Sequence, residues 1–209
     1  MRNVHPSARR NRSRKRRGCV GCLGKIIGCI AVLAILFWMG NYFGFSEKLM
    51  KTQYPIKYQE WVEIYAEEFS LEKELVYAII RTESKFDPYA VSNTGAKGLM
   101  QMQEETAKDC IRELKLKNVK VQDLLEPEFN IRLGCYYFSK LLKRYQGNQD
   151  LAIAAYNGGP GNVEKWLKNE NYTNEKGELV HIPFPETRNY VKRVKKACEM
   201  YHKLYTEET

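Results

Sequence analysis

The sequence predicts an all-α domain behind an N-terminal transmembrane helix, and three observations support this fold class. Apolar residues recur at helical spacing through most of the chain after residue 54. Neither a strand–helix–strand alternation nor an internal repeat is present in the sequence. One stretch of twenty residues, 26–45, contains no charged side chain. A chain of 209 residues has room for one ordinary domain and an appendage of this kind.

The N-terminal region carries the formal net charge of +9. Residues 1–25 contain nine of the 34 Lys and Arg residues and no acidic residue, so the remainder is balanced at 25 basic and 25 acidic side chains. As a helix, residues 26–45 reach about 30 Å, which matches the hydrocarbon core of a membrane. The positive-inside rule then predicts a basic cytoplasmic tail at 1–25, a single-pass anchor in the cell membrane at 26–45, and an extracytoplasmic chain from Ser46 onward.

A cleaved signal peptide is the alternative interpretation of residues 26–45. The apolar stretch is long for such a peptide and no Ala-x-Ala-like site follows it, so a retained signal-anchor is favoured. The basic cluster at 9–17 is also typical of nucleic-acid binding. Because attraction to anionic lipid explains that cluster, and the balanced chain after residue 25 offers no basic face, we expect no nucleic-acid partner.

The cysteines and histidines do not suggest a ligand set. The cysteines are Cys19, Cys22, Cys29, Cys110, Cys135 and Cys198, and the histidines are His5, His181 and His202. The first two cysteines form a lone Cys-x-x-Cys pair, without the second pair that a zinc site requires. The last three allow at most one disulfide, whose partners the spacing does not select. The histidines show no metal-ligand spacing, so we expect no metal and no cofactor.

A linker at 46–54 leads into the predicted helical domain, residues 55–209. Its predicted helices cover, in order, 55–69, 71–84, about 104–115, a long helix that Pro127 opens and Gly147 ends, the segments LAIAAY and VEKWLKN, and a last helix near the C terminus. The residues expected to cap four of these helices are Ser70, Asp150, Asn162 and Thr187. One small hairpin near 171–182 is the only β element expected.

Glu83 is the most informative residue, because it follows an apolar helical stripe. Leu75, Val76, Ile79 and Ile80 form the stripe, and the helical spacing directs Glu83 along the same face. Desolvation and the negative end of the helix dipole would both raise the pKa of its carboxyl group. The alternative interpretation is a frayed helix end with this glutamate turned to solvent.

A set of ordered motifs surrounds this residue. It consists of Glu83-Ser84, Ser92, Gly98-Leu99-Met100-Gln101, Ala155-Tyr156-Asn157-Gly158-Gly159, and Tyr190 ahead of the closing helix. In this order the set resembles the lytic transglycosylases that have a soluble-lytic-transglycosylase or goose-lysozyme-like catalytic domain, over about residues 54–205. The resemblance implies a lysozyme-like helical fold at 55–209. It also implies cleavage of the β-1,4 bond between N-acetylmuramic acid and N-acetylglucosamine in peptidoglycan glycan strands.

The resemblance also implies roles for individual residues. Glu83 would be the catalytic acid. The expected substrate-binding residues are Ser92, Gly98, Met100, Gln101, Gln103, Tyr156, Asn157 and Tyr190. Five of these would line the cleft and hold acetamido groups or Glu83 itself: Ser92, Gln101, Tyr156, Asn157 and Tyr190. Met100 and Gln103 would bound the sugar sites. Core packing is the alternative role for Met100 and Tyr156. The family usually has a proline where this chain has Glu104, so we expect the next helix to begin differently here.

No second carboxylate is indicated, because the remaining acidic candidates lie beside turns or in first helical turns, where capping explains them. They are Asp87, Glu104, Glu105, Asp123, Glu126, Glu128 and Glu186. A single acid predicts that the substrate's acetamido group supplies the nucleophile, and that the products end in 1,6-anhydromuramic acid. The alternatives are a goose-type lysozyme that uses water, and a wall-binding module without activity.

Overall fold

A computed structural model describes residues 17–205, and the chain divides into two compact units after Met50. The first helix, α1, is Arg17–Gln53, so the predicted linker at 46–54 is helical as far as Gln53. From Ile27 onward α1 is long and apolar enough to cross a membrane, and its described apolar side chains in the first unit are exposed, as contact with lipid requires. Residues 1–16 of the predicted basic tail lie outside the described range.

The second unit, from residue 51 onward, is helical. Its elements are α2 (Gln59–Glu68), α3 (Lys73–Ser84), α4 (Glu104–Glu113), a 3-10 turn (Val121–Leu125), α5 (Pro127–Arg144), α6 (Gln149–Gly158), α7 (Pro160–Leu167) and α8 (Pro185–Tyr205). Within residues 17–205, β pairing is limited to three isolated bridges, one of them between Thr173 and Leu179 at the place of the expected hairpin. The all-α prediction is confirmed.

The core of this unit forms where α8 packs against α3 and α6, and where α5 packs against α2 and α6. The predicted stripe of α3 is buried, with each of its four apolar residues at most 2% exposed. A second, smaller cluster lies under α4 and contains Met102, Cys110 and Leu133. Among the described residues, both clusters draw only on residues from Tyr54 onward, so the second unit contains its own complete core.

The predicted helix caps are wrong, and local backbone geometry explains the first two. Ser70 has a left-handed φ of 54°, and α3 instead begins after Glu72. The cap of α6 is Asn148, whose side chain accepts from the backbone N–H of Leu151 at 3.1 Å, so Asp150 lies inside the first turn.

The other two caps shift because prolines open the helices earlier than predicted. Pro160 begins α7 and Pro185 begins α8, since the fixed φ of proline suits a first helical position. Asn162 and Thr187 therefore lie within the first turns. The start of α2 also moves, from 55 to Gln59.

Candidate active site

Glu83 lies in the last turn of α3, which ends abruptly. Lys85 and Phe86 have left-handed φ values of 53° and 65°, so the chain turns away directly after Ser84. The Ser84 hydroxyl lies 2.8 Å from the carbonyl oxygen of Leu99, to which it donates. This contact ties the end of α3 to the loop formed by residues 91–102.

The carboxyl group of Glu83 is partly buried, and burial raises its pKa to about 7. The hydroxyl of Tyr190 donates a hydrogen bond of 2.6 Å to Oε1 of Glu83, and this bond lowers the pKa, as does the positive charge of Arg193. Desolvation outweighs both effects. The carboxyl group can therefore both give and accept a proton near neutral pH.

The loop 91–102 is held by its own polar side chains. Two backbone bridges, Val91 with Lys97 and Lys97 with Met102, fold it back on itself. Nε2 of Gln101 donates to the carbonyl oxygens of Ala90 and Gly98, at 3.0 and 2.9 Å. Its Oε1 accepts no hydrogen bond from another group among residues 17–205.

Other polar side chains also stabilise the loop. The hydroxyl of Ser92 accepts from the backbone N–H of Ala96 at 3.0 Å. The side chain of Gln103 donates to the hydroxyl of Thr94 at 3.1 Å. Both predicted binding residues therefore shape the loop as well as lining the cleft described below.

Asn130 on α5 fixes the position of the loop, and sequence reasoning missed it. Its side chain is fully buried and makes three hydrogen bonds: it accepts from Met100 N at 2.7 Å and donates to the carbonyl oxygens of Lys97 and Leu124 at 2.9 and 2.8 Å. An asparagine four residues before Gly134, on the buried face of a helix, is the signal that would have identified it.

Tyr156 on α6 holds the loop from the other side. Its hydroxyl donates to the carbonyl oxygen of Met100 at 2.7 Å, while its ring lies 5.9 Å from that of Phe138. Burial raises the pKa of this hydroxyl well above its ordinary value, so it stays protonated. Tyr156 is thus both a core residue and a wall of the cleft.

Met100 and Gly98 are not among the residues that line the cleft described below. Met100 is fully buried and packs against Gly134. A Cβ added at Gly134 would lie 2.3 Å from the Met100 sulfur. Gly98 has a φ of 76°, and a Cβ there would lie 2.4 Å from the carbonyl oxygen of Leu124. Both residues therefore serve packing of the loop, and their predicted part in sugar binding stays a prediction.

The cleft at Glu83 has a volume of about 670 Å³. Its lining comprises Glu83, Ser92, Thr94, Ala96, Gln101, Gln103, Tyr156, Asn157, Gly158, Phe184, Pro185, Glu186 and Thr187. Five of the eight predicted binding residues are among them. Tyr190 is 2% exposed and reaches Glu83 from the core side of the cleft. Sequence reasoning missed the first turn of α8, which brings Glu186 to the cleft as the second carboxylate of the lining.

One group of metal-ligand side chains occurs among the described residues, outside the cleft. Ligand atoms of Glu72, Cys198 and His202 lie within 4.8 Å of one another, between the start of α3 and the end of α8. Burial and nearby carboxylates raise the pKa of the Cys198 thiol to about 11. The Cys-x-x-x-His spacing on α8 was overlooked in the sequence. None of the three residues lines the Glu83 cleft.

Comparison with known proteins identifies relatives with one common description. Residues 60–179 match the family model of the Transglycosylase SLT domain. The chain is 35% identical over 147 residues to a soluble lytic murein transglycosylase of Salmonella typhimurium, which covers 69% of this chain and 23% of that protein. It is 31% identical to a membrane-bound lytic murein transglycosylase C of Edwardsiella ictaluri, covering 71% of this chain and 47% of that one.

Solved structures agree with this result. An inactive mutant of the lytic transglycosylase Slt from Pseudomonas aeruginosa superposes with a TM-score of 0.67 at 36% identity, over 74% of this chain and 25% of that chain. The 70 kDa soluble lytic transglycosylase from Escherichia coli superposes with a TM-score of 0.68 at 31% identity, over the same shares. The chain therefore spans about a quarter of these soluble relatives, and about half of the membrane-bound one.

Proposed function

This chain belongs to the Transglycosylase SLT domain family, and from that premise we propose that it is a membrane-anchored peptidoglycan lytic transglycosylase. Its substrate would be the β-1,4 bond between N-acetylmuramic acid and N-acetylglucosamine in glycan strands. The proposed domains are the basic tail at 1–25, the anchor at 26–45, the linker at 46–54 and an extracytoplasmic catalytic domain at 55–209. The observation that carries the proposal is the Glu83 carboxyl group, whose pKa is raised to about 7 and which lines a cleft of about 670 Å³.

The reaction begins with proton transfer from Glu83 to the glycosidic oxygen, which leaves with the N-acetylglucosamine. The acetamido oxygen of the muramic acid residue attacks the anomeric carbon from the opposite face and forms an oxazolinium ring. The carboxylate of Glu83 then removes the proton of the C6 hydroxyl, and O6 displaces the acetamido oxygen from the anomeric carbon. A 1,6-anhydro ring closes, and no water is consumed.

The surroundings of Glu83 suit both proton transfers. The hydrogen bond from Tyr190 stabilises the carboxylate that forms after the first step. The unused Oε1 of Gln101 and the side-chain amide of Asn157 are the polar groups we assign to the acetamido group. General acid assistance contributes about 10² to 10⁴ in rate, or roughly 3 to 5 kcal/mol, so binding and positioning must supply the rest.

A hydrolase that uses water is the second candidate, and Glu186 is the observation that favours it. This exposed carboxylate lines the same cleft, from the first turn of α8. An inverting glycosidase needs a second carboxylate to activate water, and in this candidate Glu186 would take that role. The two candidates differ in their products, because hydrolysis leaves reducing muramic acid ends and the transglycosylase reaction leaves anhydro ends that are one water lighter.

The decisive experiment is mass analysis of the products that residues 46–209 release from purified peptidoglycan. We expect anhydromuramic acid ends, and a loss of at least about 100-fold in rate for Glu83→Gln with the fold retained by circular dichroism. The matched control is Glu186→Gln, which removes the other carboxylate of the cleft and should keep most of the activity. Reducing ends that disappear in Glu186→Gln would establish the hydrolase instead.

A further inference from the structure

A second cavity, of about 520 Å³, lies in the second unit beside the C-terminal end of α3. Its lining comprises Thr52, Gln53, Tyr54, Pro55, Lys57, Arg81, Thr82, Lys85, Phe86, Arg193 and Lys196. Five of these side chains are cationic and none is acidic. The cavity shares no lining residue with the Glu83 cleft, so it is a separate site.

Ion pairs do not take up the charges of the five cations in the described part of the chain, although the charge of Arg193 also acts on Glu83. Within residues 17–205, ion pairs join other lysines and arginines to carboxylates, such as Lys97 to Glu104 and Lys195 to Asp150, but none involves a cation of this cavity. The positive potential of the cavity is therefore available to an anion.

Arg81 is held in place for such an anion. Its Nε donates to the backbone oxygen of Gln53 at 2.8 Å, and its guanidinium lies 3.9 Å from the centre of the Tyr54 ring. Its two terminal nitrogens have no hydrogen-bond partner in the described part of the chain. A fixed guanidinium with free terminal nitrogens matches the geometry of a phosphate group.

General basicity of the domain does not explain this cluster. All of the net charge of +9 lies in residues 1–25, and the chain after residue 25 has equal numbers of basic and acidic side chains. Five cations in one cavity whose lining contains no acidic residue are therefore a local concentration. A neutral domain also has no long-range attraction to an anionic surface, so any binding must come from such a local site.

We propose that this cavity binds the phosphate group of an anionic lipid headgroup. Residues 46–51 separate the predicted anchor from Thr52, and even a fully extended chain of this length spans only about 25 Å. Lipid phosphates are thus the anions that the tether keeps close to the cavity at high local concentration. The proposal rests on the membrane anchor in the proposed function, but not on the proposed cleavage of glycosidic bonds. Binding here would hold the domain at the membrane surface in one orientation.

The test uses residues 46–209, which contain the whole described core, and vesicles of phosphatidylglycerol or of phosphatidylcholine. The variant is Lys57→Glu with Lys196→Glu, because both side chains are exposed and make no described hydrogen bond. The control is Lys168→Glu with Lys176→Glu, which changes the net charge equally at exposed positions outside the cavity. Circular dichroism verifies that each variant folds. If the double glutamate variant does not fold, Lys57→Ala with Lys196→Ala replaces it.

We expect cosedimentation of the wild type with phosphatidylglycerol vesicles, at least about tenfold weaker binding for the Lys57 and Lys196 variant, and little change for the control. Glu83→Gln should bind vesicles like the wild type, which separates this proposal from the catalytic one. Equal losses in variant and control would overturn the site. Binding of inorganic phosphate without vesicle binding would also overturn it. The same holds if the variant loses binding only to peptidoglycan fragments, because their peptide carboxylates would then be the ligands.

Discussion

At the scale of single residues, the site depends on how opposing effects set the proton affinity of Glu83. Burial raises its pKa, while the hydroxyl of Tyr190 and the charge of Arg193 lower it, and the balance lies at about 7. The pKa of Tyr190 is itself raised well above its ordinary value by burial and by the neighbouring carboxylate. Tyr190 therefore keeps its proton and always donates to Glu83, so it is a positioning residue and does not itself transfer a proton.

Tyr190→Phe should shift the pH dependence of the reaction. Removing the donor removes an effect that lowers the pKa of Glu83, so its folded-state pKa rises further above 7. The alkaline limb of kcat/KM should move up by about one pH unit, because a hydrogen bond to a charged group contributes about 1.5 to 3 kcal/mol. The maximal rate should fall about tenfold, since the carboxylate formed in the first step loses its partner.

The control for this prediction is Tyr145→Phe. Tyr145 is a buried tyrosine outside the cleft, whose hydroxyl donates to the carbonyl oxygen of Pro160 at 3.3 Å. Its loss should lower stability slightly and leave the pH profile in place. If the alkaline limb of kcat/KM is unchanged in Tyr190→Phe, the hydrogen bond does not determine the pKa of Glu83.

At the scale of elements, three helices hold the cleft loop at residues 91–102. The end of α3 contacts it through Ser84, α5 through Asn130, and α6 through Tyr156. Their polar groups bind loop backbone, so the loop has little freedom despite lacking regular structure. This explains how a loop can present Gln101 to the cleft in a fixed position.

Two glycines of this loop provide a matched test of how tightly it is packed. Gly98 and Gly95 have similar φ values, 76° and 84°, so alanine is strained at either. A Cβ at Gly98 would also meet the carbonyl oxygen of Leu124 at 2.4 Å, whereas one at Gly95 meets nothing within 4 Å. In urea unfolding, Gly98→Ala should lose roughly 2 to 4 kcal/mol and Gly95→Ala about 1 kcal/mol. Equal losses would show that close packing of the loop adds nothing to the strain.

At the scale of the whole molecule, the two units differ in what they bury. The described apolar side chains of the first unit are exposed, and those of Leu33 and Phe37 are more than half exposed, whereas the second unit encloses its own core. Exposed apolar surface of this extent on a helix requires lipid or a partner to cover it. Together with the basic tail, this arrangement supports the proposed single-pass anchor.

The proposed topology places the catalytic domain outside the cytoplasmic membrane. Protease added to intact wall-less cells should therefore digest the chain after Ser46 and leave a membrane-bound fragment that contains the basic tail. Lysed cells are the control, since there the tail should be digested too. A soluble form that begins near residue 46 in the medium would show that residues 26–45 act as a cleaved signal.

The sequence by itself determined the features that depend on local pattern. The spacing of apolar residues predicted the all-α fold and the buried stripe of α3, because a helix places residues three and four apart on one face. The charge distribution separated the anchor from the domain. The ordered motifs identified the loop at 91–102 and directed attention to Glu83, because those residues are close in the chain or form short recognisable segments.

Only the tertiary structure decided which motif residues reach the cleft and which fill the core. Tyr190 contacts Glu83 across 107 residues of sequence, and Asn130 reaches Met100 across 30. Met100 looked like a wall of the sugar site, yet it is fully buried because Gly134 leaves space for it. Such contacts arise from how whole helices pack, and the local sequence does not predict which distant side chain will pack beside a given residue.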